Sequence, residues 1–184
     1  AVAVHRGGIT AMTLIALLLE RNTFHDPADS EAGLAGLSFT LSIAACGFVV
    51  CAVIAPYGVR KVGRHRWMRL MLSASTLGPL FIVFSRTPLT LAIAAFVTAL
   101  FGQSLKVTND ALVQSKIDDI YRGRVFSVYD VVVNGAIVSG AVIAALLLPN
   151  TGDSYLVPSI VAGIYFIAGA RLLRSRVFFA PPIK

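Results

Sequence analysis

The sequence predicts an all-α membrane protein with six transmembrane helices. Three observations lead to this fold class. Apolar residues make up 57% of the 184 residues and charged residues only 14%, with a mean hydropathy of +0.79. The apolar residues fall in six runs close to the roughly 20 residues that a helix needs to cross a bilayer. The basic residues lie in the gaps between the runs and favour alternate gaps.

The predicted spans follow from these runs and from the turn signals that separate them. A lipid-facing segment must satisfy its own backbone hydrogen bonds, so each run is predicted to be a helix. The runs are too long and continuous for alternating barrel strands. Pro79 and Pro158 fall inside spans, where neighbouring helices can compensate for the lost backbone bond. The predicted single bundle covers residues 1–184, with spans at about 2–20, 33–57, 67–85, 88–114, 125–148 and 155–173.

The distribution of Lys and Arg predicts the orientation of the bundle. One side carries 14 of the 16 basic residues, and the other carries only Arg21 and Arg86. The positive-inside rule places the basic side in the cytoplasm, together with both termini. The net charge of +7 is explained by this topology, so a nucleic-acid partner is not expected.

The residues inside the spans do not indicate an enzyme. No histidine is expected at the depth of Ser139, so a serine nucleophile would lack its base. No pair of residues has the spacing of metal ligands, and neither a metal nor a cofactor is predicted. Cys46 and Cys51 are about 140° apart on a helix and suggest neither a disulfide nor a metal pair.

Charged residues near the predicted cytoplasmic ends of spans suggest a gating network. Intramembrane charges are costly and are usually functional. We expect Arg6, Lys106 or Arg124 to pair with Asp110 and Asp130 and to hold one conformation closed. The alternative is that Asp130 lies at the interface and Asp110 faces water among the lipid headgroups.

Two further patterns each have a functional and a purely structural interpretation. The small residues Gly135, Ser139 and Gly140 mark close helix packing, either within the bundle or on a face that slides against a partner. The basic turn with Gly63, Arg64 and Arg66 either reflects topology and attraction to headgroups or forms a conformational latch.

Several stretches resemble the major facilitator superfamily. The turn Val62-Gly63-Arg64-His65-Arg66 resembles the end of its basic loop motif, although Arg60 stands where the family has an acid and Pro56 where it has a glycine. The stretch around Arg122, Gly123 and Arg124, continuing as Val125-Phe126-Ser127, resembles the loop between helices 10 and 11 of efflux-type members. Gln114 and the stretch Leu17-Leu18-Leu19-x-Arg21-Asn22-x-Phe24 also fit. The resemblance covers essentially the whole chain.

The resemblance implies the C-terminal six-helix half of a twelve-helix transporter, built as two inverted three-helix repeats. Its first and fourth spans would line a central cavity, and its second and fifth spans would meet the missing N-terminal half. By helix position, the residues expected to line the cavity are Thr10, Thr13, Gln103, Thr108 and Asn109.

The function implied is half of a secondary active transporter that moves a small organic solute by alternating access, in the direction of efflux. We expect it in a bacterial plasma (inner) membrane, with protons as a possible coupling ion. The chain opens on Ala1 inside an apolar run, without the charged region of a signal peptide, and we expect it to be part of a longer protein. Two alternatives remain open: a non-transporting scaffold or partner-binding subunit, and a small transporter that works as a homodimer with a second copy.

Overall fold

Residues 1–174 are described by a computed structural model, and this part of the chain is helical without any strand. A five-residue π-helix, Glu20–Phe24, continues the first α-helix. The α-helices are α1 (Val2–Leu19), α2 (Ser30–Val62), α3 (Arg64–Ala74), α4 (Leu77–Phe84), α5 (Pro88–Lys116), α6 (Asp119–Leu147) and α7 (Leu156–Arg174).

The lengths and composition of these helices agree with a protein that spans a membrane. Five helical segments are long and apolar enough to cross a bilayer, namely Val2–Phe24, Ser30–Val62, Arg64–Phe84, Pro88–Lys116 and Asp119–Leu147. The sixth, Leu156–Leu172, is apolar but shorter. The prediction of an all-α membrane protein is confirmed. The inverted repeats and the side on which the termini lie stay predictions.

Helix ends in the chain are set by local signals. Asp29 caps α2 by accepting a hydrogen bond from the backbone N–H of Ala32, at 3.0 Å. Gly63 ends α2 with a φ of 84°, a left-handed conformation that glycine adopts without steric cost. Thr87 and Thr90 form a reciprocal capping box at the start of α5, where Pro88 occupies the first turn.

The third predicted span is divided into α3 and α4 around Ser75 and Thr76. Pro79 has no N–H to donate to the carbonyl of Ser75, four residues earlier, so the regular helical bonding is interrupted there. The Ser75 hydroxyl donates to the carbonyl of Met71, at 2.8 Å.

Several helices continue beyond the predicted spans. Helix α2 has 33 residues, which corresponds to about 50 Å, more than the hydrocarbon thickness of about 30 Å. Helix α6 begins at Asp119, before the predicted start of its span at residue 125. The physical reason is that a helix satisfies its own backbone bonds in headgroups and water as well as in lipid, so hydropathy marks the span and not the helix end.

The bundle is held together by two extensive helix pairs, α2 with α5 and α1 with α6. Helices α3 and α4 pack between α5 and α7. Ile15, Leu19 and Tyr165 are buried almost completely in the central apolar core. In contrast, Ala144 is the one buried residue of α6, so most of that helix faces outward.

The two ends of the bundle are defined by contacts between loops. At the end that we call the basic end, Arg64 Nη1 donates to the Ser115 hydroxyl at 2.8 Å and joins the α2–α3 turn to the end of α5. At the opposite end, the Thr23 hydroxyl donates to the carbonyl of Thr151, which joins the π-helix to the α6–α7 loop. Two of the 14 basic residues assigned to the cytoplasmic side, Arg176 and Lys184, lie outside the described residues.

Candidate functional site

A cavity of about 200 Å³ lies between α1, α2, α4 and α5. Its walls are mostly apolar, with Met12, Leu41 and Phe48 among the larger side chains. Three threonines supply its polar groups, Thr13, Thr40 and Thr98. An apolar cavity with a few polar groups is the usual form of a site for a small organic molecule.

Thr98 lines this cavity and has a hydroxyl group without a hydrogen-bond partner in residues 1–174. The residue is 2% exposed, and its Oγ1 atom is buried with no hydrogen-bond partner among the described residues. Leaving a buried hydroxyl without a partner costs free energy, so such a group calls for a water molecule or a ligand. The Oγ1 atom packs against Gly78 of α4, because a Cβ atom added at that glycine would overlap it.

Of the residues predicted to line a cavity, Thr13 lines this one and the other four lie elsewhere. The hydroxyls of Thr10 and Thr108 donate to carbonyls one turn earlier in their own helices, at 2.9 and 2.8 Å. Gln103 and Asn109 are partly buried on α5. Their roles along a substrate path stay predictions.

The predicted gating network is brought together in part. Lys106 Nζ donates to Asp110 Oδ2 at 2.6 Å across one turn of α5. Tyr129 of α6 lies near Asp110 and Asn109 of α5, and the charge of Arg6 on α1 is close enough to act on its hydroxyl group. The Asp110 Oδ1 and Tyr129 Oη atoms are buried without a hydrogen bond of normal geometry in the described chain. Three helices therefore meet at one polar cluster near the basic end.

The two other residues of the predicted network lie outside this cluster. Asp130 and Arg124 are exposed on α6, and neither has a side-chain ion pair or hydrogen bond within residues 1–174. The backbone carbonyl of Asp130 accepts from the Asn134 side chain, as expected within a helix. A gating role for these residues stays a prediction.

The two loops singled out from the sequence lie at the basic end. Arg64 bonds to Ser115, as described above, whereas Arg66 is exposed. In the second loop Arg122 forms an ion pair with Asp119 and donates to the carbonyl of Gln114 at 3.4 Å. Gly123 has open space around it. The arginine contacts tie the end of α5 to the start of α6.

The small residues of α6 serve different purposes. A Cβ atom added at Gly140 would lie 2.8 Å from the Cα atom of Gly7, so α1 and α6 cross here with backbones in contact. Gly135, by contrast, has no atom within 4 Å of an added Cβ. The Ser139 hydroxyl donates to the carbonyl of Gly135, at 2.7 Å. Only part of the predicted stripe therefore packs within the bundle.

Sequence reasoning missed two buried polar residues of α1 and its π-helical extension. His5 is 2% exposed and stacks on the ring of Tyr165, whose hydroxyl donates to the carbonyl of His5 at 2.9 Å. Glu20 is also 2% exposed, although the sequence places it at the start of a polar gap. One signal could have found Glu20, because Met12, Ala16 and Glu20 are spaced four apart and share one face of α1.

Comparison with known proteins gives the family of this chain. The family model described as Major Facilitator Superfamily matches residues 4–183. Two proteins described as uncharacterised MFS-type transporters, from Mycobacterium bovis and Mycobacterium tuberculosis, are each 26% identical over 152 residues. Each alignment covers 83% of this chain and 34% of the relative, so the chain spans about a third of the length of these relatives. No solved structure matches the chain significantly. Because the family match covers almost the whole chain, the chain belongs to the major facilitator superfamily, a family of membrane transporters rather than enzymes.

Proposed function

We propose that this chain forms one six-helix half of a secondary active transporter that moves a small organic solute by alternating access. The observation that carries the proposal is the central cavity, which is mostly apolar and is lined by Thr13, Thr40 and Thr98. Its volume of about 200 Å³ suits a small solute or part of a larger one. Efflux is the direction that the resemblance of the Arg122–Arg124 loop favours.

The packing of the bundle supports the proposed pair of inverted repeats. The first span of each three-helix unit packs on the second span of the other unit, as in the pairs α1 with α6 and α2 with α5. A twofold axis that exchanges the two three-helix units would turn one of these helix pairs into the other. An odd number of spans in each unit makes their orientations opposite. The proposed mechanism is a rocking of two such bundles that opens the cavity of this bundle to one side of the membrane at a time.

The exposed surface of the bundle supports an apolar partner or lipid around it. Large side chains such as Val53 on α2 (75% exposed) and Leu146 on α6 (78% exposed) lie on the outside. We infer that the lipid bilayer covers part of this surface and that the other six-helix half covers another part. The second copy of a homodimer would cover the same faces. Cytoplasmic termini, which the basic asymmetry supports, and a bacterial plasma (inner) membrane complete the proposal.

The test compares two alanines that are neighbours on α2. Ala44 lines the cavity, whereas Ala45 is exposed and does not. The natural full-length polypeptide that contains these residues is reconstituted in liposomes and offered a defined library of small organic solutes. Time-dependent accumulation of each solute is measured by mass spectrometry against protein-free liposomes.

We expect at least one solute to accumulate in liposomes with the wild-type protein. Ala44→Phe should reduce its initial rate by about tenfold, equivalent to about 1.4 kcal/mol of lost binding, because the phenyl ring fills the cavity. Ala45→Phe should leave the rate close to that of wild type. Equal rates for the two variants, or no transported solute in the library, would contradict the proposal that this cavity is a transport site.

A further inference from the structure

Glu20 has a buried carboxyl group that belongs neither to the lining of the cavity nor to the polar cluster near the basic end. Its Oε1 atom accepts a hydrogen bond from the Thr40 hydroxyl of α2, at 3.1 Å. Its Oε2 atom is buried and has no hydrogen-bond partner among the described residues. An ionised carboxylate in such a position is costly, and a protonated one needs an acceptor for its O–H. Gain or loss of a proton would therefore change the hydrogen bonds that the Glu20 carboxyl group needs.

His25 stands beside the unpartnered oxygen. Its Nδ1 atom lies 3.6 Å from Glu20 Oε2 and 2.9 Å from the backbone carbonyl of Glu20. A carbonyl only accepts, so Nδ1 carries the proton of that bond. The imidazole is 33% exposed while the Glu20 side chain is 2% exposed. His25 thus connects the buried carboxyl group to the water at the opposite end of the bundle.

The backbone around this pair makes room for it. Glu20 begins the π-helix, a wider turn that occurs frequently at functional sites. On the facing helix α2, a Cβ atom added at Gly36 would overlap Glu20 Oε2 and lie 2.9 Å from His25 Cε1. A glycine at this position therefore leaves the space that the carboxyl and imidazole groups occupy.

The pair is adjacent to the central cavity. Thr40 is 1% exposed, lines the cavity and donates its hydroxyl to Glu20. Met12 and Ala16, which precede Glu20 on the same face of α1, also line the cavity. A change at Glu20 can therefore reach the cavity through one hydrogen bond and through the helix that carries both.

Other charged groups at this end of the bundle are directed elsewhere. Arg86 pairs with Asp153 and stacks over the ring of Tyr155, 3.3 Å from its centroid. The remaining charged side chains of the π-helix, of the turn that follows it and of the first turn of α2 are exposed: Arg21, Asp26, Asp29 and Glu31. None of these has an ion pair with Glu20 in residues 1–174.

We propose that Glu20 and His25 form a proton-binding site, which lies between the central cavity and the end of the bundle opposite the basic end. A hydronium ion in the water beside the partly exposed His25 gives its proton to Glu20 Oε2 and leaves as water, while the Nδ1–H of His25 keeps its hydrogen bond to the backbone carbonyl of Glu20. The carboxylate becomes a carboxylic acid, and no further reactant is needed. A coupling role for this proton rests on the proposed transport function, but proton binding itself does not.

Infrared spectroscopy of the purified full-length polypeptide tests the site without any solute. The carbonyl band of protonated carboxyl groups is recorded by attenuated total reflection while the pH is varied between about 4 and about 10. We expect one titrating band to disappear in Glu20→Gln. The matched control Glu31→Gln changes an exposed acid one helix away and should keep that band.

Two further variants identify the neighbours of the group. Thr40→Val should shift the same band to higher frequency, because the carboxyl group loses a hydrogen bond from the threonine. His25→Gln should change the pH midpoint of the band, because it removes the adjacent imidazole. Each variant is first checked for a monodisperse elution profile, and Thr40→Val tests the assignment even if Glu20→Gln does not fold.

The outcomes separate this proposal from the proposed function. A titrating band that persists unchanged in Glu20→Gln, or one that is insensitive to Thr40→Val, would overturn the proton-binding site. Failure of every solute to accumulate in liposomes would count against transport and would leave the infrared result unaffected. A lost band in Glu20→Gln, with the Glu31→Gln spectrum unchanged, would support the site.

Discussion

The crossing of α1 and α6 gives the sharpest test of how the bundle is packed. Gly140→Ala places a Cβ atom 2.7 Å from the carbonyl carbon and 2.8 Å from the Cα atom of Gly7. Carbon atoms normally approach to about 3.5–4.0 Å. The atoms in the way belong to backbone and not to a flexible side chain, so the two helices must separate by about 1 Å at this point.

The magnitude follows from the contacts that such a separation weakens. The dispersion energy of one pair of carbon atoms in contact is about 0.1–0.2 kcal/mol. A gap of about 0.5–1 Å removes a quarter to a half of that energy. A contact surface the size of one buried leucine has about 40–60 such pairs, so the loss is about 2 kcal/mol. Overpacking of well-packed cores costs a similar amount, about 1–3 kcal/mol.

The assay is equilibrium unfolding of the full-length polypeptide in mixed micelles by added sodium dodecyl sulfate, followed by circular dichroism. Gly135→Ala is the matched control, because it makes the same change on the same helix with no atom within 4 Å of the new Cβ. We expect Gly140→Ala to lower the free energy of unfolding by about 2 kcal/mol. Gly135→Ala should be neutral or slightly stabilising, by up to about 1 kcal/mol. Agreement of the two variants within about 0.5 kcal/mol would refute the close crossing.

Three further predictions concern single contacts and use the same unfolding assay. Tyr165→Phe should lower the free energy of unfolding by about 1 kcal/mol, because it removes the hydrogen bond to a carbonyl of α1. Tyr121→Phe changes an exposed ring and should leave the free energy of unfolding almost unchanged. An equal loss in the two variants would count against the Tyr165 hydrogen bond. Exchange of Lys106 and Asp110 should recover most of the stability lost in each single charge reversal, and a double variant no better than either single one would argue against a direct pair. Thr87→Val should cost about 1 kcal/mol by removing the cap of α5, and an unchanged transition would mean that the cap contributes little.

The sequence predicts this fold well because the relevant signals are local. A run of apolar residues and the spacing of prolines and capping residues are properties of short segments, and they indicate where helices lie, although α6 begins at Asp119 and its predicted span at residue 125. The sequence does not predict the break at Ser75, because neighbouring helices decide whether a proline such as Pro79 interrupts a span or is tolerated within it. Pro56 lies inside the continuous helix α2 and shows the other outcome.

The candidate sites were predicted less completely for a related reason. Apolar residues surround most of each span, so the helices lack the strong amphipathic pattern that would identify an inward face. Lys106 and Asp110 could be paired from their spacing of four residues alone. Which of two similar acids, Asp110 or Asp130, faces the bundle depended on the rotation of α5 and α6 about their own axes.

The amino-acid sequence alone determined that this is a helical membrane protein with a marked basic asymmetry, since hydropathy and charge act on each segment independently of its neighbours. Only the tertiary structure decided that α2 buries Glu20 beside His25, that the Thr98 hydroxyl is buried without a hydrogen-bond partner in the described part of the chain and that α6 lies against α1 at Gly140. These arrangements come from the packing of helices that are distant in sequence. The physical reason is that burial of a polar group depends on what another helix brings to it, and no segment by itself contains that information.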